Sequence, residues 1–208
     1  MNNDLMFSSN NQQWATRLEV YNQIKEYTGG WFDLDPCAEK HTVKCDRFFT
    51  KEQNMFNKNL DWGVDAGQFA GGYFKSTVFM NPEYGREQPK FVKELIKRIK
   101  DEQVEKGICL IPARTDTKLF HETILKNASK ITFYDGRLVF GTDEYWEFVW
   151  SEPTMINLNG KDKPNTLFNK VGKFNSAPFP SMIVEFISEL KGNPTIATLK
   201  APKFKYNK

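Results

Sequence analysis

Apolar residues at Leu18, Val20, Tyr21 and Ile24 recur at near-helical spacing between charged positions, which predicts a helix from Arg17 to Tyr27. Thr28-Gly29-Gly30 stops it. Trp31 to Asp35 then reads as a short strand ended by Pro36. Thr77 to Met80 is a second apolar run, broken at Asn81-Pro82. Phe91, Leu95 and Ile99 sit among charges in a predicted helix from Lys90 to Lys106. Ile108 to Ile111 is a buried-strand run ended by Pro112. A helix over Leu119 to Ala128, a strand over Ile131 to Tyr134 and a core strand over Ser181 to Phe186 complete the pattern.

Strand alternating with helix is the rhythm of an open, largely parallel α/β sheet, and such sheets bind ligands at the carboxyl ends of their strands. Three predicted strands end in chemically loaded tips: Asp33-Leu34-Asp35-Pro36, Asn81-Pro82-Glu83-Tyr84 and Pro112-Ala113-Arg114-Thr115. Residues 51–76 read as irregular. Residues 142–176 change character: Tyr145 to Trp150 alternates like a strand, and 159–176 is rich in Asn, Lys and Gly. The expected organisation is a flexible 1–12, one domain over 13–190 with an inserted hairpin or loop at 142–176, and a basic tail over 191–208.

Composition adds limits. A chain of 208 residues with 39% hydrophobic and 26% charged residues suits one globular core rather than a disordered chain. No apolar run reaches the roughly 20 residues of a membrane span, and the first residues lack the order of a secretory signal. Three cysteines cannot all pair, so a reducing cytoplasm is the expected location. The net charge of +3 is too small to identify a partner. Its distribution is more suggestive, with one basic stretch over 90–100 and another over 200–208. Both fit either solvated surface or phosphate contact.

The Asn81-Pro82-Glu83-Tyr84 tip carries the most specific chemistry. An aromatic exocyclic amine such as adenine's is a poor nucleophile, because its lone pair is delocalised into the ring. A site that alkylates it needs two acceptors for the amine hydrogens and a flat surface for the base. The Asn81 side-chain oxygen and the Pro82 carbonyl supply acceptors, and Tyr84 a stacking face for a flipped base. Asn-Pro is also a common turn opener after a strand.

An ordered series of motifs narrows the choice. Trp14-Ala15-Thr16 precedes the first helix, and Phe32-Asp33-Leu34-Asp35-Pro36-Cys37-Ala38 follows it. Cys45, Arg47-Phe48-Phe49-Thr50 and Leu60-Asp61-Trp62 come before the Asn81 motif. Ile111 to Thr117 with Phe120-His121, Gly136 to Phe140, and Ala177 to Ser181 come after it. Over about 12–141 and again at 176–186 the chain resembles the phage-type DNA N-6-adenine methyltransferases. The resemblance implies a class I (Rossmann-like) S-adenosylmethionine-dependent methyltransferase sheet flanked by helices. It also implies adenine in DNA as substrate and a phage or prophage origin with a role in restriction-modification; a donor that is already a strong electrophile requires no metal.

The resemblance further implies roles for single residues. Asn81, Pro82 and Tyr84 are the expected catalytic set. Trp14, Thr16, Asp33, Asp35, Pro36, Ala38, Asp61 and Asn81 are the expected donor contacts. Arg86, Arg114 and Arg137 are the expected DNA contacts. For several, a plainer reading stands alongside: Thr16 as a helix cap, Trp62 beside Asp61 as core, Arg114 paired with Asp116, and Arg137 in an internal salt bridge. His121 reads as a structural hydrogen-bonding residue. Cys37, His41 and Cys45 offer only three ligands at spacings unlike common zinc modules.

The chain departs from the family pattern twice. Glu83 stands where the family has a second proline, and Arg17 where it has a proline after Thr. Losing the proline at 83 loosens the loop by about 0.4–1 kcal/mol through unfolded-chain entropy, if the backbone angles are unchanged. Two other readings of the motif remain: a methyltransferase for glutamine amides in proteins, and a catalytically impaired module that only binds donor or DNA.

Overall fold

The structure is a computed structural model that describes residues 15–40, 42–65, 72–141, 155–158, 161–164, 177–189 and 192–202. Its centre is a seven-stranded sheet. The strands are β1 (Leu34–Asp35), β2 (Arg47–Phe48), β5 (Ser76–Met80), β6 (Val104–Pro112), β7 (Lys130–Asp135), β10 (Ser181–Ile187) and β11 (Thr195–Lys200), in the order β11-β7-β10-β6-β5-β1-β2. Every pairing is parallel except those of β10, which runs antiparallel to both β6 and β7. Two small antiparallel ribbons lie outside it, β3 (Val64–Asp65) with β4 (Tyr73–Phe74), and β8 (Met155–Leu158) with β9 (Lys161–Pro164).

Alternation along the central strands divides the core between two faces. Val78, Met80, Cys109, Ile111, Met182 and Val184 pack with Val92, Leu95, Ile96 and Ile99 of α2 (Gln88–Lys100) and with Phe120 and Ile124 of α3 (Leu119–Ile124, continued by Leu125–Asn127). Phe79, Ile108, Leu110 and Ile183 face the other way, against Val20, Tyr21 and Ile24 of α1 (Leu18–Tyr27). Period two in the strands and three-to-four in the helices therefore produce three layers around one sheet. Gly107 on β6 is what lets α2 approach: a Cβ there would lie 2.7 Å from Leu95 Cδ2.

Element ends differ from expectation where the usual signals are missing. α1 stops as predicted. Gly29 takes φ 75°, and the Gly30 and Gly29 amides donate to the Lys25 and Glu26 carbonyls, a Schellman ending. α2 ends at Lys100 rather than Lys106, although the reversal falls on Glu102 at φ 60°, a residue that does not advertise a left-handed turn. The freed residues open β6 four positions earlier than the apolar run suggests. α3 begins as π-helix (Leu119–Ile124) and ends as a short α-turn (Leu125–Asn127). Of the predicted first strand, only Leu34–Asp35 pairs in the sheet.

β11 lies within the stretch read as a basic tail. It pairs in parallel with β7 over six residues. From the predicted insertion, β8 and β9 are described. The expected strand Tyr145 to Trp150 and the flexible residues 1–12 lie outside the described residues. Among the described residues, no helix is long and apolar enough to cross a membrane.

Candidate functional site

The chain leaves β1 towards the sheet edge at β2 and returns on the other side of β1 to form β5. That makes the β1–β5 boundary a switch point, where the two connections diverge and leave a crevice at the carboxyl ends. A cavity of about 430 Å³ opens there. Asp35 closes β1 and Asn81 follows β5, so the two most suggestive side chains of the sequence line the same space.

Asp35 is held by its surroundings. It is 3% exposed, and its Oδ1 accepts the Cys37 backbone N–H at 3.0 Å, so the Pro36-Cys37 turn folds over the strand end. Phe49 N–H donates to the Asp35 carbonyl, and Ala38 N–H to the Phe49 carbonyl, which ties that turn to β2. Burial raises the Asp35 carboxyl above the usual carboxylate range, against the opposing pull of Lys44 and the Cys37 N–H. Lys44 is pushed down by burial and supported by the Asp35 charge. Its ammonium donates to the Thr42 carbonyl at 2.5 Å, and Thr42 and Lys44 both line the cavity.

Thr16 enters from the segment before α1, held down where Gly141 N–H donates to the Ala15 carbonyl at 2.8 Å. The helix cap is Arg17, without a side-chain cap bond. Thr16 Oγ1 is buried with no hydrogen-bond partner among the described residues, and the residue lines the cavity. A buried hydroxyl without a partner is costly unless a ligand or water completes it. Met55, Phe56 and Phe91 supply apolar wall, with the two phenyl rings 5.1 Å apart.

Asn81 Oδ1 accepts the Tyr84 hydroxyl at 2.8 Å. The Tyr84 ring packs edge-on against Phe179 at 5.3 Å and Phe140 at 6.2 Å, and the residue does not line the cavity. Burial pushes the phenol pKa up, so it stays a donor. Pro82 and Glu83 do line the space, and Glu83 pairs with Lys51 of the facing wall at 3.3 Å.

Of the expected donor contacts, Thr16, Asp35, Pro36, Ala38 and Asn81 therefore meet in one cavity. Trp14 lies outside the described residues. Asp33 turns to the sheet, where its Oδ2 accepts the Thr77 N–H at 2.7 Å and fixes the start of β5. Asp61 lies away from the cavity and accepts from the Tyr73 hydroxyl at 2.6 Å and the Gly63 N–H at 2.9 Å. Trp62 is wholly buried core, under Arg98 and against Phe49.

Arg86, Arg114 and Arg137 are exposed and outside the cavity lining. Arg114 and Asp116 form no ion pair among the described residues. His121 is exposed and rests edge-on against Phe120. Cys37 and Cys45 contact different neighbours, Met55 and Tyr21.

Thr42, Lys44, Met55, Phe56 and Phe91 were not singled out from sequence. The first four lie in irregular backbone without a period, and Phe91 reads as one more apolar position of α2. The one signal pointing to Lys44 was a lysine close in sequence to a strand-end aspartate.

A family model described as DNA N-6-adenine-methyltransferase (Dam) matches residues 5–186. A protein of Escherichia phage T1 named DNA N-6-adenine-methyltransferase is 28% identical over 131 residues, which is 62% of this chain and 48% of the relative. The chain thus spans about half the length of that curated relative. No solved structure matches.

Proposed function

Because this chain belongs to the DNA N-6-adenine-methyltransferase (Dam) family, we propose that it methylates the exocyclic amine of adenine in DNA, with S-adenosylmethionine as donor. The single observation that carries the reading is the meeting of Asp35 and Asn81 at the β1–β5 switch point, on one cavity. The three layers and the lone reversed strand β10 support a class I, Rossmann-like reading of the fold.

The cavity residues fit the donor. Thr16 Oγ1 is a buried hydroxyl without a partner among the described residues, Asp35 an acceptor for hydroxyl or ammonium hydrogens, and Met55, Phe56 and Phe91 an apolar surface for a purine. When bound, the donor supplies a methyl group already activated by the sulfonium. The chain's own part is therefore to position and polarise. Asn81 Oδ1 and the Pro82 carbonyl accept the two amine hydrogens and draw the nitrogen towards tetrahedral geometry. Tyr84 orients the Asn81 amide and offers its ring to an extruded base once it leaves the Phe140–Phe179 cluster. Arg86, Arg114 and Arg137 are the proposed phosphate contacts. Residues 142–176, including the β8–β9 ribbon, are the proposed recognition insertion of a single domain. The bacterial cytoplasm is the proposed place of action, with a phage or prophage gene as source.

The test is mass spectrometry of nucleosides from unmethylated DNA incubated with the chain and S-adenosylmethionine. N-6-methyladenine that disappears in Asn81→Ala is expected. No product on single- or double-stranded DNA, with donor binding intact by calorimetry, overturns the enzymatic reading and leaves a binding module.

A further inference from the structure

Two charges of opposite sign share the cavity wall. Asp35 is almost fully buried at the tip of β1, and Lys44 reaches the same space from the loop before β2, with its ammonium on the Thr42 carbonyl. Burial opposes ionisation of both, and each supports the charge of the other. Asp35 is withdrawn from water and Lys44 is half-buried, and a buried charge is kept only when something compensates it. A purely anionic or purely cationic ligand would match only half of this arrangement. A group with an ammonium and a carboxylate on one carbon matches both halves.

We infer that Lys44 is the receptor for the α-carboxylate of the donor's amino-acid arm, set against Asp35 as receptor for its ammonium. This rests on the donor reading above and adds a specificity residue to it. The apolar wall of Met55, Phe56 and Phe91 serves the adenosine part, whose affinity is then independent of Lys44. The plainer role, Lys44 as a counter-ion for Asp35 alone, predicts no distinction between ligands with and without the amino-acid arm.

Calorimetry on the full chain separates these. S-adenosylhomocysteine carries the arm, and 5′-methylthioadenosine lacks it. Lys44→Gln is expected to weaken S-adenosylhomocysteine about 10- to 100-fold, the scale of one charge-assisted contact, and to leave 5′-methylthioadenosine within about twofold. Lys44→Arg is expected to retain most of the affinity. Equal losses for both ligands, or no loss for either, overturn the assignment. Should Lys44→Gln fail to fold, decarboxylated S-adenosylmethionine tests the unaltered chain. Binding as tight as that of S-adenosylmethionine overturns the inference, and binding weaker by about tenfold or more supports it. If neither S-adenosylhomocysteine nor 5′-methylthioadenosine binds the unaltered chain, the donor reading itself fails.

Discussion

The Tyr84 hydroxyl donates to Asn81 Oδ1 at 2.8 Å, so the acceptor proposed for the adenine amine is occupied and oriented from within its own loop. Without base, this bond satisfies an amide oxygen that is half-buried. With base, the amine must take its place.

Two variants separate orientation from chemistry. Asn81→Ala removes the acceptor and is expected to lower turnover by about 10²–10³, the cost of one preorganised polar contact in a transition state. Tyr84→Phe keeps the ring contacts to Phe140 and Phe179 but removes the hydroxyl that Asn81 Oδ1 accepts, and should lower turnover by roughly tenfold. Tyr84→Phe should not move the affinity for S-adenosylhomocysteine, because Tyr84 lies outside the cavity lining that Asn81 belongs to. Single-turnover rates beside calorimetric titrations check this, and a Tyr84→Phe enzyme as fast as the parent would show that Asn81 needs no such guide.

Asp35 trades stability for binding. Its folded-state pKa is raised, chiefly by burial, with Lys44 and the Cys37 N–H pulling the other way. The stability linked to it is complete below the unfolded carboxyl's pKa of about 3.9 and is lost as pH rises through the higher folded-state value. Asparagine has no such charge. Urea midpoints of the ligand-free chain from pH 4 to 8 should show Asp35→Asn gaining on the parent as pH rises. Donor affinity should fall about 10- to 100-fold at pH 7 in the same variant. A stability difference that does not vary with pH would falsify the linkage.

The strand ends were legible in the sequence because each apolar run breaks at a proline: Asp35-Pro36 and Asn81-Pro82. Position in the fold then turned two motifs into one cavity. What stayed hidden follows from physics. Lys44, Met55 and Phe56 line the site from irregular backbone, where no periodicity exists to read. Glu102 reverses the chain at φ 60° without a glycine, so the end of α2 and the start of β6 were misplaced. Glu185 is a carboxylate in a buried strand, offset by Lys106 at 3.5 Å and Lys130 at 3.6 Å, pairs that no local pattern foretells. β11 is mostly exposed at the sheet edge, and its polar neighbours made it look like tail.

Arg98 braces the irregular segment that leads from the cavity wall to Trp62. It is 2% exposed, lies over the Trp62 ring, and donates to Glu94 at 2.7 Å, the Leu60 carbonyl at 2.9 Å, Gln103 at 3.0 Å and the Asn57 carbonyl at 3.1 Å. Arg98→Ala leaves these acceptors without their donor and is expected to cost about 3 kcal/mol. In a chain of this size that lowers Tm by roughly 6–12 °C. Arg98→Lys keeps the charge but not the planar fork, and should fall between. Thermal melts of the three proteins decide it, and an unchanged Tm for the alanine variant would remove the bracing role.

Glu83 and Lys51 face each other across the cavity lining at 3.3 Å, with side chains 46% and 76% exposed. An ion pair this open contributes about 0–1 kcal/mol, so Glu83→Gln should leave the melting curve nearly unchanged. Its carboxylate still repels phosphates approaching the motif. Glu83→Gln is therefore expected to bind DNA a few-fold more tightly at 50 mM salt, with the gap closing above about 200 mM as screening grows. Glu83→Pro removes the same charge and also stiffens the loop that carries Asn81. The two variants should match in DNA affinity, and only the proline should raise kcat. DNA titrations over a salt series, beside turnover of both, distinguish the effects. A proline variant slower than the parent would mean that Glu83 takes part in the working site rather than standing in for a lost proline.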